Sequence, residues 1–164
     1  MTLPLEEVVR YLGLRGGTPD EALTARTREL MALAPLVPRR VFRRFGDRYL
    51  LCGTVGSAFD AWQRRLAADS AADAFIAQAI GTAAVERVMD DAETEIRAEL
   101  VPGEKLQPRR SPGYGRMPLA RNGEIIRLLD ATKLIGVAST AADLLVPSKS
   151  VTAEAMIQRE SVKA

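Results

Sequence analysis

The stretch PRRSPGYGRMP, residues 108–118, differs in character from the sequence on either side of it because it holds three prolines and two glycines. Proline lacks a backbone N–H and fixes its φ angle, and glycine weakens regular structure, so this stretch can be neither regular helix nor central strand. It also carries several arginines and Tyr114. We therefore predict a basic loop with a fixed course between two regular elements.

A long amphipathic helix is predicted before this loop, from residue 71 to about residue 99. Apolar side chains recur every four residues, at Ile76, Ile80, Ala84, Val88, Ala92, Ile96 and Leu100. That spacing places them on one face of a helix. Gly81 interrupts the stripe at a cost of about 1 kcal/mol relative to alanine. Its presence indicates the close approach of another backbone, of a ligand or of a packed side chain.

Further elements are predicted on both sides of the long helix. Upstream we expect a helix over 5–12, a second helix with Thr18 as its N-cap and Glu21 completing a capping box, and two strands over 41–45 and 49–51. Downstream we expect a helix over 124–129, a strand over 135–139, a helical turn over 140–145 and a strand that begins at 150–152. We expect the last dozen residues to form a helix or a frayed tail.

Five arginines crowd the two predicted upstream strands: Arg39, Arg40, Arg43, Arg44 and Arg48. One interpretation is a solvated edge pair whose charges prevent edge-to-edge association. The other is a basic face that binds an acidic partner.

Composition excludes several classes of site. The chain contains no histidine, which rules out Ser-His-Asp triads and histidine-ligated metals, and its single cysteine, Cys52, cannot build a cysteine-rich metal site. No apolar run approaches the roughly 20 residues of a membrane span, and the N-terminus lacks the pattern of a signal peptide. A net charge of +2 is too small to indicate nucleic acid. We expect one cytoplasmic domain over residues 1–164, with no membrane and no nucleic-acid partner.

An ordered series of short motifs carries a resemblance to a known family. The loop 109–115 is followed by Leu128-Leu129-Asp130, Ile135-Gly136-Val137, Pro147 and Ser150-Val151, and is preceded by Val55-Gly56, Asp60, Arg64-Arg65-Leu66 and AIGTAAVE at 79–86. The chain resembles, over about residues 5–153, the activation domain of cobalamin-dependent methionine synthase, including free-standing members of that family. There an Arg-x-x-Pro-Gly-Tyr loop precedes a Leu-Leu-Asp helix and a Pro-x-x-Ser-Val segment.

The resemblance implies an α+β fold, a twisted antiparallel sheet with flanking helices. It also implies that the protein binds S-adenosylmethionine for the reductive methylation of cob(II)alamin. The cobalamin would be carried by a partner, a cobalamin-binding methionine synthase or another corrinoid protein, and the electron would come from flavodoxin or another donor. Cobalt is the nucleophile in that reaction, so the implied role is positioning, with no catalytic residue and no metal site in this chain.

The S-adenosylmethionine-binding residues implied by the resemblance are Glu86, Arg109, Pro112, Gly113 and Tyr114. A guanidinium can bind the ligand carboxylate with two hydrogen bonds, and Glu86 can face its ammonium and sulfonium cations. Taken without the resemblance, Glu86 is a solvated helix residue and Arg109 a surface cation.

Three features depart from the family pattern. Residues 156–164 contain no aromatic pair, an acidic residue from the N-terminal part of the longer form has no match, and the usual Thr-Glu-Ser reads Thr140-Ala141-Ala142. Two alternative functions therefore stay open. One is a non-enzymatic assembly or docking protein for a corrinoid methyltransferase that has lost S-adenosylmethionine binding. The other is an unrelated α+β binding module whose arginine-rich edge binds an acidic partner.

Overall fold

A four-stranded antiparallel sheet forms the centre of the protein in a computed structural model that describes residues 2–14 and 17–159. Its strands are β1 (Arg39–Phe45), β2 (Arg48–Thr54), β3 (Glu104–Leu106) and β6 (Ser150–Arg159), in the spatial order β1-β2-β6-β3. Two short strands, β4 (Ala138–Ser139) and β5 (Leu145–Val146), pair separately. The sheet is curled, and an ion pair between Arg44 on β1 and Glu104 on β3 joins its two outer strands. The predicted α+β fold with flanking helices is confirmed.

The sequence of β2 explains why helices cover both faces of the sheet. Successive strand residues point to opposite faces, and Tyr49, Leu50, Leu51 and Cys52 are all buried. Tyr49 and Leu51 pack towards helix α4 (Ala71–Glu99), together with Met89, Ala92, Ile96, Ala153, Ala155 and Ile157. Leu50 and Cys52 pack on the other face against α5 (Arg121–Leu129) and α6 (Ala131–Ile135).

Helix α4 has the bounds predicted from its four-residue apolar repeat. It begins after Ser70, whose hydroxyl accepts the backbone N–H of Asp73 at 3.1 Å. Its first half packs with α1 (Leu5–Tyr11), α2 (Glu21–Leu33) and α3 (Ser57–Asp69) around a second apolar core. No helix in the described residues, α4 included, is long and apolar enough to cross a membrane.

The glycine in α4 is explained by a packed side chain. A Cβ atom at Gly81 would lie 2.5 Å from Cε1 of the buried Phe59 ring and 2.9 Å from Cε of Lys149. Of the three kinds of close approach considered for this glycine, the structure shows the packing contact.

The start of α2 differs from the prediction. The N-cap is Asp20, whose carboxylate accepts the backbone N–H of Leu23 at 2.8 Å, and the helix begins at Glu21. Thr18 as N-cap is therefore wrong by two residues, and no capping box forms with Glu21. Aspartate is as good an N-cap as threonine, and here it is the residue next to the helix.

The C-terminal third differs most from the sequence-based expectation. Residues 131–135 are helical, so the strand predicted over 135–139 is reduced to Ala138–Ser139. The hydroxyl of Thr140 accepts the N–H groups of Ala142 and Leu144, which makes the segment a turn between β4 and β5 and not a helical turn. The last dozen residues were expected to be helix or tail, but β6 continues to Arg159 because it pairs with β2 and β3. Residues 160–164 lie outside the described part.

Candidate functional site

The predicted Pro/Gly/Arg-rich loop is held at its start by the sheet. The backbone N–H of Arg110 donates to the carbonyl of Glu154 on β6 at 2.8 Å, and the N–H of Glu154 donates back at 2.9 Å. Within the loop, the N–H of Gly113 donates to the carbonyl of Met117 at 3.0 Å. Gly113 has φ = +87°, a conformation that a residue with a side chain rarely adopts. The loop is therefore an ordered turn between β3 and α5, and its start is paired with β6.

Arg109, just before this turn, binds three carboxylates on one face of α4. Its Nη1 lies 2.7 Å from Asp90 Oδ1 and 2.7 Å from Glu93 Oε1, and its Nη2 lies 2.6 Å from Glu86 Oε2. Positions 86, 90 and 93 are four and three residues apart, which places them on the same side of a helix. We call Glu86, Asp90 and Glu93 the carboxylate cluster.

The surroundings of Arg109 fix its charge. Its side chain is only 18% exposed, and burial by itself lowers the pKa, but the hydrogen bonds to Asp90, Glu93 and Glu86 outweigh burial and raise the pKa of Arg109 above its ordinary value. Arg97 also donates to Glu93, at 2.5 Å. Two guanidinium charges thus face three carboxylate charges. The cluster keeps a net negative charge that can attract a cation.

Arg109 retains unused hydrogen-bond donors. A guanidinium has five N–H groups, and three bonds to the cluster use three of them. The Nε–H and one Nη2–H donate to no residue in the described part of the chain. Arg109 can therefore donate hydrogen bonds to a further anionic group while it stays bound to the carboxylates of α4.

Tyr11, the last residue of α1, lies close to the same cluster. Its side chain is part-exposed, and its pKa is raised first by burial and then by the negative charge of Glu86. The N-terminal helix thus places an aromatic ring and a hydroxyl beside the carboxylate cluster.

Two cavities lie on either side of the loop. The larger, about 850 Å³, is a groove lined with arginines: Arg48, Arg109, Arg110, Arg116 and Arg121, with Glu154 among them. The smaller, about 420 Å³, has mostly apolar walls that include Pro112, Leu119, Leu144 and Leu145. Ser111 and Tyr114 line both cavities, and the Tyr114 side chain is 79% exposed. A ligand in either cavity would meet this tyrosine.

The structure brings most of the predicted ligand residues together. Glu86 and Arg109 are in direct contact, and Arg109 and Tyr114 share the groove. Pro112, which is buried, shares the smaller cavity with Tyr114. Gly113 shapes the turn. Of the five predicted ligand residues, Glu86 and Gly113 line neither cavity.

Sequence reasoning missed Asp90, Glu93 and Tyr11. The four- and three-residue spacing from Glu86 would have indicated that Asp90 and Glu93 share its face of α4. Nothing in the sequence indicated that α1 ends beside them. The sequence indicated a basic loop, but it did not indicate that Arg48 and Arg121 line the same groove as the loop arginines.

The arginines of the β1–β2 hairpin are mostly engaged within the protein. Arg40 pairs with Glu95, Arg44 with Glu104, and Arg48 lies 3.6 Å from Glu154. Arg43 donates to the carbonyl of Leu128 at 3.0 Å. These contacts neutralise only part of the charge of the hairpin, because Arg43 bonds to a neutral carbonyl and the Arg39 side chain bonds to no described residue. A solvated edge and a basic face for an acidic partner are both compatible with this arrangement.

Comparisons with known proteins support the fold. No protein family model matches the chain, and no curated protein matches its sequence. Among solved structures, the crystal structure of the MetH reactivation domain bound to AdoHcy is similar, with a TM-score of 0.63 over 98% of this chain and 77% of that one. The two proteins share a fold. Because only 16% of the aligned residues are identical, the similarity shows the fold alone.

The described residues of the site present charged groups and neither a reactive thiol nor a metal site. Cys52 is fully buried and its pKa is raised to about 12 by burial, so it is not a nucleophile at neutral pH. Within residues 2–14 and 17–159, no group of three or more His, Cys, Asp or Glu side chains is suited to holding a metal ion. The arrangement offers carboxylates to a cation on the α4 side and guanidinium groups to an anion on the loop side.

Proposed function

We propose that the protein binds S-adenosylmethionine at the 109–114 loop and presents it for the reductive methylation of a cobalamin carried by a partner protein. The observation that carries this proposal is the fold, shared over 98% of the chain with the MetH reactivation domain, which is bound to AdoHcy in its crystal structure. The Arg109-x-x-Pro-Gly-Tyr sequence lies on the loop of this fold that faces α4.

The charges of the site suit this ligand. S-adenosylmethionine carries a sulfonium and an ammonium cation and one carboxylate. The net negative carboxylate cluster can face the cations, and the free donors of Arg109 can bind the carboxylate as a two-pronged pair. Tyr114 offers an exposed ring to the adenine, and the Pro112-Gly113 turn lets backbone groups approach it.

The role proposed for the chain is positioning. When bound, the ligand would supply the methyl group, while the partner holds the cobalamin and flavodoxin or another donor supplies the electron. Glu86 and Arg109 would orient the methyl donor, and Tyr114 would hold its adenosyl end. Since such a role needs no proton transfer by the protein, the lack of histidine is compatible with it.

Calorimetry and thermal unfolding with S-adenosylmethionine and S-adenosylhomocysteine test the proposal. Ligand at a hundred times its dissociation constant should stabilise the folded protein by about 2.7 kcal/mol. Glu86→Gln should weaken the binding of S-adenosylmethionine more than that of S-adenosylhomocysteine, because only S-adenosylmethionine has a sulfonium charge. Glu95→Gln is the matched control, since Glu95 lies on the same helix and pairs with Arg40 away from the loop.

The outcomes separate the proposed function from its alternative. Equal weakening of both ligands by Glu86→Gln would indicate general damage to α4 and not recognition of a cation. If the wild-type protein shows no stabilisation by millimolar ligand, even with a cobalamin-loaded partner present, S-adenosylmethionine binding is wrong. Direct binding to that partner without ligand would then support the docking-protein alternative.

A further inference from the structure

The arginine-lined groove holds charge that the proposed function does not use. Arg110 and Arg116 lie on the loop, both are exposed, and neither side chain donates a hydrogen bond to a residue that the structure describes. Both nevertheless line the groove, together with Arg48 from β2 and Arg121 from α5. Unpaired guanidinium groups that face a concave surface are suited to binding an oxyanion.

One carboxylate holds both Arg48 and Arg121. Glu154 on β6 lies 3.1 Å from Arg121 Nη2 and 3.6 Å from Arg48 Nη1. The backbone of Glu154 also pairs with that of Arg110, so the same residue positions the start of the loop. Arg48 and Arg121 are therefore fixed in direction, while Arg110 and Arg116 are free to contact a ligand.

The groove has a net positive charge. The charge of Arg109 is neutralised by the carboxylate cluster, and Arg121 also forms an ion pair with Glu124. The four other arginines face two carboxylates, Glu154 and Glu124, which leaves a charge of +2. A concave surface with low-dielectric walls concentrates such a potential.

We propose that this groove binds a small anion that carries two or more phosphate or carboxylate groups, with Arg110 and Arg116 as the direct contacts. Its volume of about 850 Å³ lies within the range of small-molecule sites, roughly 300–1,000 Å³, and its concave shape favours a small molecule over an acidic protein surface. Arginine forks bind phosphate and carboxylate with paired hydrogen bonds. The exposed ring of Tyr114 at the same groove can stack on a planar group attached to the anion.

Calorimetric titrations of the full chain with pyrophosphate, citrate and ADP, at one fixed ionic strength near physiological, test the proposal. Pyrophosphate and citrate distinguish phosphate from carboxylate as the preferred group. Tighter binding of ADP than of pyrophosphate, lost in Tyr114→Ala, would assign the planar group to Tyr114. The double variant Arg110→Ala/Arg116→Ala should lower the affinity for the tightest-binding of these anions by roughly tenfold or more, because it removes two charge-assisted contacts.

The matched control removes the same charge elsewhere. Arg39 and Arg127 are exposed, and their side chains also donate no hydrogen bond to a residue of the described chain. Salt near physiological concentration screens the long-range attraction between the protein's positive charge and the anion. The double variant Arg39→Ala/Arg127→Ala should therefore change the affinity for the anion by less than about threefold. Circular dichroism of both double variants tests whether they are folded. Equal weakening in the two double variants would overturn the proposal, as would the absence of binding by all three anions at millimolar concentration. Binding of an acidic protein to the same groove, with none of the anions bound, would also overturn it. The comparison of the two arginine double variants is independent of S-adenosylmethionine binding, for which the proposed residues are Glu86, Arg109 and Tyr114. Only the Tyr114→Ala measurement involves a residue of both proposed sites.

Discussion

Nη2 of Arg109 lies 2.6 Å from Oε2 of Glu86, although 23 positions separate the two residues in the sequence. The contact joins the Pro/Gly/Arg-rich loop to the middle of the long helix. Two residues expected to bind oppositely charged groups of one ligand thus bind each other. A ligand that uses both must approach an existing ion pair, with its anion at the remaining donors of Arg109 and its cation beside the carboxylate cluster.

Two glycines within helices should respond in opposite ways to alanine. Gly81→Ala would place a Cβ atom 2.5 Å from the buried Phe59 ring, so we expect a loss of about 1–3 kcal/mol in the free energy of unfolding. Gly123→Ala on α5 would place its Cβ 3.5 Å from Ser139 Oγ, an ordinary contact, so we expect a gain of about 0.5–1 kcal/mol from helix propensity. Urea unfolding measures both. Stabilisation by both substitutions would contradict the packing role of Gly81.

The sequence predicted the elements whose signal is local. Helix α4 followed from a four-residue repeat over residues 76–100, which spans about seven turns, and β2 followed from a short apolar run next to a Gly-Asp turn. Strand β6 was largely missed, because its inward residues include Ala153 and Ala155, which carry a weak apolar signal. It is a strand because it pairs with β2, about a hundred positions earlier, and with β3.

The candidate site also has a part that the sequence could predict and a part that it could not. Glu86 and Arg109 entered through a family resemblance, and periodicity could place Asp90 and Glu93 on the face of Glu86. That Arg109 would bind all three required knowing where the loop passes α4, which is set by the backbone pairing of Arg110 with Glu154. No local pattern encodes a contact of that kind.

The ion pair that joins the outer strands should make stability depend on pH. Hydrogen bonds from Arg44 hold the pKa of Glu104 at about 2, below its ordinary value of 4.5. A carboxyl whose pKa is lower in the folded state contributes stability above the unfolded pKa and loses it as pH falls through the folded pKa. Glu104→Gln should therefore unfold at a lower temperature than wild type at pH 7. The difference should narrow between pH 4.5 and pH 2. An unchanged difference at pH 2 would contradict the prediction.

The single cysteine should be protected in the folded protein. Cys52 is fully buried on β2, and burial raises its pKa to about 12, so almost no thiolate is present at pH 8. We expect a chromogenic disulfide reagent to label the folded protein slowly and the guanidinium-unfolded protein at once. Rapid stoichiometric labelling without denaturant would show that β2 opens readily or that α5 and α6 do not cover it.

The three bonds of Arg109 should differ in strength according to the burial of each carboxylate. The side chains of Glu93, Glu86 and Asp90 are 9%, 38% and 63% exposed, and water screens an exposed charge more than a buried one. Arg109→Ala leaves all three carboxylates without this partner, so we expect a loss of about 1.5–3 kcal/mol in the free energy of unfolding. Double-mutant cycles of Arg109→Ala with Glu93→Gln, Glu86→Gln and Asp90→Asn measure each pair. The coupling should be largest for Glu93 and at most about 1 kcal/mol for Asp90.

Arg116→Ala is the control, because its exposed side chain bonds to no described residue, and it should change stability by less than about 0.5 kcal/mol. Equal couplings for Asp90 and Glu93 would mean that Arg109 moves between the carboxylates in solution, and the proposed orientation of a ligand carboxylate by Arg109 would then lose its basis.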